Sequence, residues 1–369
     1  MIKILATLIV IILLNIPTAL TETGSEFSDD DLPPFFSWRN IGGIDFTTSI
    51  KNQAPAPTCE AYAFISALET IVQYQVGYPF GCDLSETHLF FYSGGTCNWG
   101  VDVRDAADYL VEYGVPDEGC FPDPHRPKDT PFNSLPGWEN RTVKIQKWGW
   151  VENDIESIKH ALVEHGPLII CMLVRSDFMH YSGGIYKNNW GQINGGHVIT
   201  IFGYNDIYRY WLIKNSWGTA WGEKGWIRVS YDAHKTMRPF FCPFYGGTGL
   251  FYVDGVYGNF MPDVPKIQIE SPKRYHTYYS GYEFKTVFKK MPFVQKGGVP
   301  RIIGWTTVKI NATNTNKVEF YVDDELQFTD EEAPYEWKLH APYGSHTLET
   351  LAYNENNTSK GIMDFFVII

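Results

Sequence analysis

The chain has 369 residues, 44% of them hydrophobic and 20% charged, with a formal net charge of −12. That balance excludes wholesale disorder, allows about two domains at roughly 100–200 residues each, and argues against a nucleic-acid binder, because an acidic surface repels a phosphate backbone. The charge is uneven: residues 266–369 carry twelve basic and thirteen acidic side chains, and ten of the twelve Trp precede residue 265.

Residues 1–21 (MIKILATLIVIILLNIPTALT) join one early Lys to an apolar run from Ile4 to Leu14 and a small-residue exit at Ala19-Leu20-Thr21. This is the pattern of a secretory signal peptide; the run is shorter than the ~20 residues a membrane-spanning helix needs. The expected location is therefore extracellular, where disulfides are permitted. Sequons at Asn140, Asn311, Asn356 and Asn357 agree with export. Residues 22–34 are acidic, small and Pro-ended, and read as a flexible lead-in.

Residues 35–255 read as one domain with helices first and strands later, an α+β pattern. Thr58 is placed to cap a helix over 59–76, with Phe64, Leu68, Ile71 and Val72 at helical spacing and Gly77 as the stop. A second helix is expected over 102–113, stopped by Gly114. A third is expected over 154–165, with Asn153 as its cap and Glu156 at the third helical position. Strands are expected at 168–174, 197–203, 209–214 and 225–230. Residues 256–265 read as a linker. From 266 to 369 short alternating strands at 305–312, 317–322, 335–340, 345–353 and 362–368 predict a β-sandwich.

Three segments carry chemistry. Gln53 is followed six residues later by Cys59 at a helix start. Gly195-Gly196-His197 leads into a strand. The third segment runs Lys214-Asn215-Ser216-Trp217-Gly218 and continues to Trp221-Gly222-Glu223-Lys224-Gly225-Trp226. A Cys with a distant His and Asn in this order fits a nucleophilic cysteine.

This ordered series resembles the papain-like cysteine peptidases (family C1). Phe36-Ser37-Trp38-Arg39, Leu84-Ser85-Glu86, Cys97-Asn98-Trp99-Gly100 and Phe178–Tyr186 match further landmarks of that family. The resemblance implies a two-lobed fold, a helical lobe and a β-barrel lobe, followed by a tail that resembles immunoglobulin-like modules. It implies that Cys59 and His197 form an ion pair, that Asn215 holds the imidazole under Trp217, and that Gln53 supplies an oxyanion donor. It implies that the Gly100 backbone pairs with the substrate chain and that Cys171 walls the pocket for the second substrate residue. No cofactor or metal is expected, since no Cys or His pair has ligand spacing. The implied partners are protein or peptide substrates of a monomer, with cell-surface or glycan contact through the tail.

The sequence also departs from the family. Glu60 follows the nucleophile where Trp is usual, and Ala54-Pro55-Ala56-Pro57-Thr58 replaces a Gly-rich approach containing a second Cys. A rival register would match Tyr62-Ala63-Phe64 and place Ala61 at the catalytic position, but only Cys59 keeps the six-residue step from Gln53. With Ala56 and Tyr92 at two of the family's disulfide positions, the first pairing expected is Cys97 with Cys120, and Cys171 is expected as a buried thiol. The roughly dozen residues before Phe35 are too few for the family's helical inhibitory pro-domain. A catalytically silent binding homologue, or a transpeptidase or amidase with the same triad, are the rival readings.

Overall fold

A computed structural model describes residues 32–122, 133–187, 190–234, 248–259, 264–273, 276–285, 299–355 and 357–368. The signal peptide, most of the lead-in, Cys242 and Asn356 lie outside the described residues.

The long helix α1 spans Cys59–Val76. Its stop is the expected one: Gly77 adopts φ +86°, and its N–H reaches the carbonyls of Gln73 and Tyr74. Its start differs. Thr58 makes no side-chain cap bond, because its hydroxyl lies 3.5 Å from the Ala56 carbonyl instead. Helix α2, Glu86–Tyr92, is capped by Ser85, whose Oγ accepts the His88 N–H. Helix α3, Val103–Glu112, is capped by Asp102. Helix α4, Ile155–Glu164, is capped by Asp154 and not by Asn153: Asp154 Oδ1 accepts the Ser157 N–H at 2.9 Å, while Asn153 Oδ1 is buried without a partner.

The central sheet is built from β1 (Phe35–Ser37), β2 (Lys147–Trp150), β3 (Leu168–Arg175), β4 (Ile193–Asn205), β5 (Tyr210–Lys214), β6 (Trp226–Ser230) and β7 (Leu250–Asp254), with Ile185–Tyr186 at one edge. Its order is β2-β7-β3-β4-β5-β6-edge, with β1 added alongside β4. Alternation assigns the two faces. Ile169, Cys171, Val198, Phe251 and Val253 pack with α1, α2 and α3 in one core. Leu168, Ile170, Met172, Val174, Ile199, Ile201 and Ile213 pack with Ile158 and Leu162 of α4 in another. Strands β3, β4 and β7 therefore serve both cores.

The stretch read as a linker begins as a strand: Tyr257 and Gly258 pair with Lys144 and Val143. The C-terminal region contains β8 (Lys266–Ser271), β9 (Thr306–Thr313), β10 (Lys317–Val322), β11 (Glu325–Asp330), β12 (Tyr335–Leu339), β13 (Gly344–Tyr353) and β14 (Thr358–Val367). Strands β8-β9-β12 form one sheet, and β14-β13-β10-β11 with three shorter strands form the other. Val308, Ile310 and Leu339 from the first meet Val318, Phe320, Leu348 and Phe365 from the second, which makes a sandwich core. Strand β11 completes a hairpin across Asp323-Asp324, both at positive φ.

The sandwich is bonded to the helical lobe. Lys266 Nζ donates to the carbonyls of Phe80 (2.7 Å) and Gly81 (2.9 Å). Lys360 donates its backbone N–H to Gly119 O (2.8 Å) and its Nζ to Asn133 O (2.8 Å). Arg141 bridges Asp117 and the Thr358 carbonyl. Gly119 is required here, because a Cβ would collide with the Ser359 side chain. Pro33–Ile369 accordingly clusters as one compact unit.

Candidate active site

Cys59 is the first residue of α1, so its thiol sits at the positive end of an 18-residue helix. His197 lies on β4, paired with Met172, and the next residue, Val198, pairs with Cys171. Both Cys59 (9% exposed) and His197 (5%) are buried at the lobe boundary. His197 Nε2 meets Asn215 Oδ1 at 2.8 Å, which leaves Nδ1 as the nitrogen available to another partner. Asn215 Oδ1 also accepts the Ser216 N–H. The Trp217 indole stacks on the imidazole at 4.8 Å, and Phe178 and Trp221 close the aromatic wall behind it.

Gln53 is tied to the same segment. Its N–H donates to Ser216 O (2.9 Å), and its Oε1 accepts the Ser216 hydroxyl (2.6 Å). Its Nε2 donates to Ala56 O at 3.2 Å, inside the loop that leads to Cys59. The bridge from Asn52 to Trp217 fixes this loop against the Asn215 segment.

The thiol has Glu60 and Cys171 among its neighbours. Burial pushes the Cys59 thiol up, the Glu60 carboxyl adds to that rise, and the Val198 backbone opposes it; Cys171 also faces it. Cys171 is thus placed behind the candidate nucleophile, in the core that α1 shares with β3. Burial drives His197 the other way, down to about 4, against the lift from Asn215. Both groups therefore favour their neutral forms in this arrangement.

Gly100 departs from expectation. It adopts φ +78°, and its N–H and C=O are both taken by Thr96, at 2.9 and 3.0 Å. The tight turn thus occupies the N–H expected to meet a substrate chain. Glu60 is half-buried, its carboxyl packed under Gly100, where a Cβ would come within 2.9 Å of Oε1. Cys97 and Cys120 are not joined: Cys120 is a buried thiol directed at Asp117 Oδ2, 3.7 Å away, in the turn that Arg141 clamps.

Beneath the site lies a charge network whose arrangement the sequence did not reveal. Lys51 Nζ contacts Asp83 (2.6 Å), Glu86 (2.7 Å) and Glu69 (2.9 Å). Glu69 also accepts from Thr48 and from the Leu84 N–H, and Lys214 Nζ donates to Thr48. Lys51 and Lys214 directly precede Asn52-Gln53 and Asn215, so the network holds both arms of the site. Burial depresses Lys214 to about 8.

Residues 32–239 match the family model described as "Papain family cysteine protease", and residues 302–349 match "Bacterial Ig domain". The chain is 30% identical over 240 residues to "Cathepsin B-like cysteine proteinase 6" of Caenorhabditis elegans, covering 54% of this chain and 63% of that protein. It is 28% identical over 222 residues to "Fruit bromelain" of Ananas comosus, covering 59% and 60%. The chain thus spans about three fifths of the length of these relatives. Among solved structures, digestive procathepsin L 3 of the Tenebrio molitor larval midgut superposes with a TM-score of 0.50 at 21% identity, covering 63% of this chain and 72% of that one, a likeness of fold.

Proposed function

The chain belongs to the papain family of cysteine proteases, and from that premise we propose that it is an exported peptidase using Cys59, His197 and Asn215. The observation that carries this reading is the Asn215-held imidazole, set on a strand whose next residue touches the Cys59 thiol. Nδ1 of His197 takes the thiol proton. The thiolate, favoured by the α1 N-terminus, attacks the peptide carbonyl. The imidazolium returns its proton to the leaving amine, and water, deprotonated by the same nitrogen, hydrolyses the thioester. Gln53 Nε2 and the Cys59 N–H stabilise the oxyanion. Trp217 keeps water from the His197–Asn215 bond.

In this reading residues 1–21 are removed on export, 22–34 form the lead-in, 35–255 the peptidase domain and 266–369 the appended sandwich. The test is covalent trapping. Full-length mature protein is treated with the thiol-directed epoxide E-64 and analysed by mass spectrometry. One adduct on Cys59, lost in His197→Ala, is expected, together with casein cleavage under reducing conditions. Neither adduct nor cleavage overturns the reading. The contact of the thiol with the Glu60 carboxyl favours a silent homologue as the second reading, and that negative result would establish it.

A further inference from the structure

We propose that Glu60 is a positioning residue whose carboxyl gates the reactivity of Cys59. The inference rests on Cys59 being the reactive thiol. Glu60 is the acidic residue of the first turn of α1, directly after Cys59. Its carboxyl is partly withdrawn from solvent. Oε1 is pressed against the Gly100 turn, and Oε2 is sealed from solvent without a hydrogen-bond partner. The family it resembles carries Trp at this step, so a bulky apolar group has been exchanged for an ionisable one in the same confined place.

Several charged or titratable groups surround this carboxyl. Cys59 faces it on its own helix, and Asp102, at the start of α3, faces it beyond Gly100. Asp102 is itself paired with Arg104 at 2.9 Å. Behind the thiol stands Cys171 of β3, with the His197–Val198 step of β4 alongside. Burial lifts the Glu60 carboxyl to about 7, and Asp102 adds to the rise, whereas its own backbone N–H, the Cys59 thiol and the Val101 backbone oppose it. A neutral carboxyl removes one of the causes that oppose the thiolate and leaves burial as the main one. A carboxylate in contact with the thiol places like charges together and suppresses the thiolate. The carboxylate's share of the restraint on the thiol is thus absent on the acid side of neutrality and present above it.

The test is the rate of Cys59 alkylation by iodoacetamide, read by mass spectrometry on the intact full-length chain from pH 5 to 9. Glu60→Gln and the wild type should alkylate alike near pH 5. Above pH 8 the variant should be about tenfold faster, the equivalent of roughly one pKa unit. Glu60→Asp keeps the charge and should follow the wild type. A rate ratio that is flat with pH, or an Asp variant that behaves like Gln, overturns the proposal. Should Glu60→Gln fail to fold, the wild-type curve decides alone: two steps with one near pH 7 support the gate, and a single step removes it. This readout needs no peptide cleavage, so loss of peptidase activity and loss of the gate remain distinguishable.

Discussion

At the scale of single residues, the imidazole is held by one bond and one stacked ring. Removing the Asn215 amide leaves Nε2 of a buried His197 without its partner, and an orphaned buried group costs roughly 1–3 kcal/mol. Asn215→Ala should therefore lower kcat/KM by about 10- to 100-fold, mostly through kcat, because the amide touches the imidazole and not the substrate. Steady-state kinetics on a fluorogenic peptide would check this; a change confined to KM would contradict it. The His197–Asn215 bond was legible because each residue sits in a distinctive local string. The surroundings of Glu60 were not, because they are made by Gly100 and Asp102, about forty positions away, and nothing in the local string says where a side chain will point.

At the scale of elements, α2 illustrates what short helices hide. Its seven residues span two turns, too few for a periodic signal, yet it buries His88 completely. That ring stacks on Tyr92 at 4.4 Å and lies 4.6 Å from Trp138 and 5.5 Å from Phe121, and neither nitrogen has a hydrogen-bond partner. Burial holds it near 3, and His197 near 4, against about 6.5 in an unfolded chain. Because these folded-state values are depressed, the stability they contribute is complete above about pH 6.5 and is lost as pH falls through 4 toward 3. For His88 the loss by pH 4 is on the order of 3 kcal/mol. His88→Phe should melt at or above the wild-type temperature at pH 7 and lose less between pH 7 and 4. Circular-dichroism melts would show it, and an equally steep loss in the variant would remove His88 as a cause. Element boundaries were otherwise legible where a left-handed Gly stops a helix, as at Gly77. They failed where two capping residues adjoin, as at Asn153 and Asp154, and where β7 falls inside a run of Gly and aromatics without clear alternation. The Lys51 network was hidden for another reason: its acids come from α1, from α2 and from the loop between them, which only tertiary packing assembles.

At the scale of the whole molecule, the tail is bonded to the helical lobe. Lys266, Lys360 and Thr358 bond to loops at 80–81, 117–119 and 133–141. The first of these loops leads into Asp83 and Glu86, the partners of Lys51. Gly119→Val inserts atoms where Ser359 already sits, and such overpacking costs about 1–3 kcal/mol. The expected outcome is that a single calorimetric transition splits into two, with the sandwich melting apart from the peptidase domain. A single unshifted transition would show that the seam carries no stability. The two sandwich sheets were foreseeable from strand spacing, but this seam was not, since it runs through backbone carbonyls that carry no residue signature.

The shared strand β4 has a consequence for how such a chain can vary. His197 and Val198 are neighbours, yet one turns to the aromatic wall of Trp217 and the other into the core of α1. Because side chains alternate with a period of two, one residue gained or lost between the irregularity at Ile193–Gly195 and His197 would exchange these two directions. The imidazole would enter an oily interior, and a valine would face the aromatic wall. Between β4 and its neighbours, then, what inheritance must preserve is parity. Away from His197, substitutions leave those directions in place, whereas a single-codon insertion or deletion reverses them, even though the resulting sheet would look intact.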